Sequence, residues 1–100
     1  MVIKWSDFAK LNIKDFINNS KLSTPQKYIE ELVNTTNVLL YNPRAGKILF
    51  KQNGIPTRQL IFKMHRIIYK VIDDEIHVGA VLHIHQDFQE ALKFIKTYFK

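Results

Sequence analysis

Residues 65–87 read HRIIYKVIDDEIHVGAVLHIHQD, and the reading of this stretch decides the fold. Two runs rich in Ile, Val, Tyr and His flank Asp73-Asp74, so they are expected to pair as an antiparallel hairpin closed by a two-residue turn. The turn sets the register. Val71 then faces Ile76, Tyr69 faces Val78 and Ile67 faces Ala80, which makes one apolar side that needs a covering layer. Because side chains alternate along a strand, the other side is expected to carry Lys70 beside His77, Ile68 beside Gly79 and Arg66 beside Val81. On that reading His83 lies diagonal to Arg66, with His85 beyond it.

Upstream of the hairpin, the same alternation predicts strands near 47–51 and 57–62, in addition to 66–72 and 75–84. Gln52-Asn53-Gly54 and Lys63-Met64-His65 separate them. Asn42-Pro43-Arg44-Ala45-Gly46 is a turn by composition, and before it the apolar period becomes helical. Ser23-Thr24-Pro25-Gln26 supplies a hydroxyl cap and an early proline. Ile29, Leu32, Val33, Thr36, Leu39 and Leu40 then lie along one face of a helix of about four turns. A second helix is expected over residues 7–19, started by Ser6-Asp7 and striped by Phe8, Leu11, Ile13, Phe16 and Ile17. Val2–Trp5 are too few for a helix and read as a short strand.

Downstream, Asp87 with Glu90 imitates a capping box, and Phe88, Ala91, Leu92, Ile95 and Phe99 return to helical spacing. The expected fold is therefore α+β: a short N-terminal strand, a helical hairpin, a mostly antiparallel twisted sheet of four to five strands, and a C-terminal helix. One hundred residues suffice for one hydrophobic core, so residues 1–100 are read as a single domain without linker or repeat.

Composition narrows the class without choosing a function. Forty-six per cent of residues are hydrophobic, with three glycines and three prolines, which favours a packed globule over disorder. The net charge of +6 attracts polyanions and acidic proteins at long range, although solvated lysines are also common on proteins with no such partner. No cysteine is present, so disulfides and thiolate metal sites are excluded. Neither a signal-peptide core nor a bilayer-spanning stretch is visible, so a cytoplasmic protein without membrane contact is expected.

The chemistry lies on the polar side of the hairpin. Histidine exchanges protons near neutral pH, and arginine grips phosphate through two parallel hydrogen bonds. Arg66, His83 and His85 on one surface would suit metal-free cleavage of RNA by its own 2′-hydroxyl. The competing reading is the solvated face of an antiparallel sheet, which is polar by default. His83-Ile84-His85 offers only two metal ligands, no serine sits in a nucleophile elbow and no glycine-rich phosphate loop exists, so neither metal nor cofactor is expected.

The order of these segments, with Asn42-Pro43-Arg44-Ala45-Gly46-Lys47, Arg58-Gln59-Leu60, the "RIIYKV" strand, the acidic turn and Val81-Leu82-His83-Ile84-His85-Gln86-Asp87, resembles the RelE/ParE superfamily of type II toxins. The resemblance spans nearly the whole chain and implies a small toxin encoded beside an acidic antitoxin that wraps it. Members of that superfamily divide between two activities. RelE-like members cut messenger RNA on the ribosome. Similarity to them casts Arg66 and His85 as catalytic candidates, His83 joins them by its expected place on the same face, and Arg58, Lys47, Lys51 and Arg44 are the candidate phosphate contacts. ParE-like members poison DNA gyrase without enzymatic chemistry, and their last strand commonly ends in a pattern that Leu82–Asp87 resembles. Two departures weigh against the nuclease: Lys51 lies near where some members carry a glutamate, and Gln86 stands where a catalytic tyrosine is expected, a place that Tyr98 could fill only by folding back. The convergence of Arg66 with His83 and His85 favours the ribonuclease, with the gyrase inhibitor and a non-toxic antitoxin-binding relative as the alternatives.

Overall fold

Turn chemistry builds most of the sheet. Asn53 and Gly54, Lys63, and the pair Asp73 and Asp74 all take positive φ, between 49° and 79°, the conformation that closes tight right-twisted hairpins. Four strands therefore run as an antiparallel meander: β2 (Lys47–Gln52), β3 (Ile55–Phe62), β4 (His65–Ile72) and β5 (Glu75–His83). The N-terminal strand β1 (Val2–Trp5) adds in parallel to the free edge of β5, giving the order β1-β5-β4-β3-β2. The remaining elements of this computed structural model, which describes residues 1–98, are α1 (Asp7–Asn19), α2 (Pro25–Thr36), a 3-10 turn over Asn37–Leu40, and α3 (Phe88–Tyr98). The α+β architecture is the one the periodicity predicts. Phe99, the last position of the predicted helical stripe, lies outside the described residues, as does the side chain of Tyr98.

Two layers of helix sandwich the sheet. On one face α1 and α2 bury Ala9, Tyr28 and Leu32 against Ile67, Tyr69, Ile76, Val78 and Val81. On the other, α3 seats Ala91 and Ile95 on Ile68, Ala80 and Leu82. At roughly 25 cal/mol per Å² of apolar surface, each buried Ile or Leu contributes about 1.5–3 kcal/mol, so both faces carry stabilisation and neither is a free solvated surface throughout.

The predicted pairing holds only near the turn. Val71↔Ile76, Lys70↔His77 and Tyr69↔Val78 are as expected, but the register then slips by one and Ile68 pairs with Ala80, Ile67 with Val81, Arg66 with Leu82 and His65 with His83. Gly79 is the extra residue of this β-bulge. The junction from β1 into α1 fastens it. The Ser6 hydroxyl donates to the Gly79 carbonyl at 2.8 Å and accepts from the Ala9 amide at 3.0 Å, capping α1 at the same time. Just beyond, Asn12 Oδ1 accepts from the Val81 amide at 2.9 Å. At the other end of the hairpin, α2 stops at Thr36 and tightens to 3-10 geometry instead of running to Leu40, and Thr24 makes no side-chain cap bond. No helix among the described residues is long and apolar enough to cross a membrane.

Candidate functional site

The one-residue slip at Gly79 redistributes the predicted site. Residues before and after a bulge exchange faces, so His83 shares the α1–α2 face with His65, whereas Arg66 shares the α3 face with Leu82. Arg66 and His83 therefore emerge on opposite sides of the sheet, which corrects the expectation that they share one exposed surface. The cause is tertiary: the bulge is held by Ser6, more than seventy residues away in the chain.

On the α3 face, Arg66 is committed to structure. Its Nη1 donates to Gln59 Oε1 at 3.2 Å and its Nη2 to the Ile84 carbonyl at 3.4 Å, while the guanidinium lies 5.4 Å from the Phe88 ring centroid. Its Nε is buried without a partner among the described residues. Further along the same face Lys70 is 2% exposed and bonds Gln52 Oε1 at 3.2 Å, and burial lowers its pKa. Lys47, opposite Gln59, remains exposed on this side.

On the α1–α2 face, three imidazoles stand in a row. His65 is buried, and its ring centroid lies 5.5 Å from that of His83, which lies 5.2 Å from that of His85. His85 follows the end of β5 and is exposed, so the row climbs from core to solvent. Its inner end is fixed by Tyr28 of α2, whose hydroxyl sits 2.8 Å from His65 Nδ1, and by Phe16 of α1, packed edge-on against His65 at 4.9 Å. Burial lowers the His65 pKa, and the neighbouring His83 lowers it further. Sequence reading missed both His65 and Tyr28. It placed His65 in a turn, and only the true register sets it across from His83.

The predicted phosphate contacts divide as well. Arg58 pairs with Tyr69, which puts it on the α1–α2 face and away from Arg66. Its Nη1 donates to the carbonyls of Gly46 at 2.8 Å and Arg44 at 3.3 Å, so the guanidinium clamps the turn before β2. Tyr69 completes the clamp: its hydroxyl donates to the Pro43 carbonyl and accepts from the Gly46 amide, both at 2.8 Å. Arg44, Lys51 and Arg58 do come together around one open cavity of about 550 Å³, but Lys47 does not join them and neither the imidazoles nor Arg66 line it. His83 and His85 supply two adjacent imidazoles, and among the described residues no group of three or more His, Asp or Glu is placed to hold a metal ion.

The family model described as ParE toxin of type II toxin-antitoxin system, parDE, matches residues 3–88 of the chain. No curated protein matches it.

Proposed function

The chain belongs to the ParE toxin family of type II toxin–antitoxin systems, and from that premise we propose that it poisons DNA gyrase by binding, without cutting RNA. The family implies an antitoxin partner, and the +6 charge suits an acidic one. The observation that carries the choice is the separation of Arg66 from His83 by the thickness of the sheet.

Metal-free RNA cleavage needs a base, an acid and a cation around one phosphate, each within about 3 Å of the atom it serves. Here the imidazoles open toward α1 while the Arg66 guanidinium is held by Gln59 and Ile84 on the far side. Bringing them together would require melting the bulge and moving β5 by a residue, with Ala80 and Leu82 leaving the contact with α3. A binding toxin asks for none of this. It needs a stable scaffold with accessible surface, which the two-sided helical packing supplies.

The test is induction in cells, with growth, transcript integrity and chromosome breaks followed together, alongside purified protein added to gyrase and supercoiled DNA. Broken chromosomes with intact messages are expected, and Arg66→Ala, if folded, should remain toxic. Cleaved ribosome-associated transcripts that disappear in Arg66→Ala or His85→Ala would instead make the protein a ribonuclease. Normal growth on overproduction would leave it an antitoxin-binding relative only.

A further inference from the structure

We propose that Tyr28, His65, His83 and His85 form an acid-sensitive joint between the helical hairpin and the sheet, which loosens as the imidazoles take up protons. The hydrogen-bond directions carry the idea. The Met64 amide donates to the Tyr28 hydroxyl at 3.3 Å, and the same oxygen lies 2.8 Å from His65 Nδ1, so one hydroxyl ties α2 to both residues. With Nδ1 unprotonated, His65 accepts the Tyr28 hydroxyl hydrogen there. The same holds one ring further out, where His83 Nδ1 accepts from the His85 amide at 3.1 Å. The His83 bond exists only with Nδ1 unprotonated, because a ring proton there would face the amide hydrogen of His85.

The surroundings oppose charge in the row. His65 is 4% exposed and walled by Phe16, so a charged ring there is poorly solvated. The groups facing the row come from every packed element. From α1, Asn12 and Asp15 line a cavity of about 270 Å³ with His65 and His83. From the α1–α2 connection, Lys21 lines a neighbouring cleft with His83. From the β3–β4 turn, Lys63 sits 5.8 Å from the centre of the Tyr28 ring, paired with Glu31 of α2 at 3.0 Å. Gln86 closes the outer end. The ring spacings of 5.5 and 5.2 Å make a second or third charge on the row repel the first.

The sign of the effect follows from the lowered His65 pKa, caused first by burial and then by His83. The unfolded chain takes up this proton near 6.5, before the folded one does, so the stability contribution is complete above about pH 6.5 and is lost as pH falls through the folded midpoint. Within that window one such group raises the unfolding constant by up to about tenfold per pH unit. The local consequence is specific. A charged His65 is better solvated outside the helix–sheet contact, and opening that contact parts the Tyr28 hydroxyl from the Met64 amide.

The experiment is an NMR titration of the three imidazoles in the full chain, with amide-exchange protection of Met64 and Ile67 measured at pH 7 and pH 5. Wild type is compared with His83→Asn and Tyr28→Phe. The His65 midpoint should lie below 6.5, and His83→Asn should move it upward. Met64 protection should fall at pH 5 while that of Ile67, inside β4, holds. In Tyr28→Phe, Met64 should be poorly protected at both pH values. A His65 midpoint at or above 6.5, or Met64 and Ile67 losing protection in step, would overturn the joint. Should Tyr28→Phe not fold, the wild type and His83→Asn still decide, since asparagine can keep accepting from the His85 amide.

Discussion

Gly46 shows how much one residue can depend on its surroundings. A Cβ there would stand 2.7 Å from the Gln59 carbonyl oxygen and from the Tyr69 ring and hydroxyl, closer than real side chains allow. Gly46→Ala should therefore cost about 1–3 kcal/mol through displacement of packed neighbours, read as a lower urea midpoint with an unchanged slope. A variant as stable as wild type would mean that the turn is not seated on Tyr69. Tyr69→Phe keeps the ring but strands the buried Gly46 amide and the Pro43 carbonyl, for an expected loss of about 1–3 kcal/mol on the same measurement. From sequence, Gly46 was legible as a turn residue. The reason it must be glycine was not, because the obstructing groups lie 13 and 23 positions further along the chain.

At the scale of elements, periodicity located β2–β5 and α1–α3 to within a few residues, since each has a face that must be buried, while β1 was read from a run too short for a helix. Local chemistry also identified the start of α3: Asp87 Oδ1 accepts from the amides of Gln89 at 3.0 Å and Glu90 at 3.3 Å. Asp87→Ala should then cost about 1 kcal/mol and fray the first turn of α3, seen as lower thermal stability and reduced protection of the Ala91 amide. The β4–β5 turn offers the opposite sign. Asp73 and Asp74 sit at φ of 50° and 62°, where a Cβ is strained, so Asp74→Gly should raise stability by about 0.5 kcal/mol net of glycine's added chain entropy. A lower melting temperature for that variant would contradict the type of turn described. What periodicity could not supply was the register past Ile68, because a strand with a bulge has the same hydrophobic content as one without it.

Over the whole molecule, the net charge of +6 acts on partners at long range. Association with an acidic antitoxin should therefore slow by roughly tenfold or more between low and high salt, with dissociation much less affected, when followed by stopped flow. A salt-independent association rate would show that charge does not steer the encounter. The sequence by itself determined the class of fold, the order of elements, the turns and the family resemblance, because these follow from local conformational preference and from which faces are apolar. Only the tertiary structure decided which polar residues meet. Ser6 reaches across to hold the bulge at Gly79, and that single inserted residue sets His83 beside His65 while Arg66 faces α3. Facing in a strand has a period of two, so a slip of one residue leaves the strand in place and reverses every side chain beyond it.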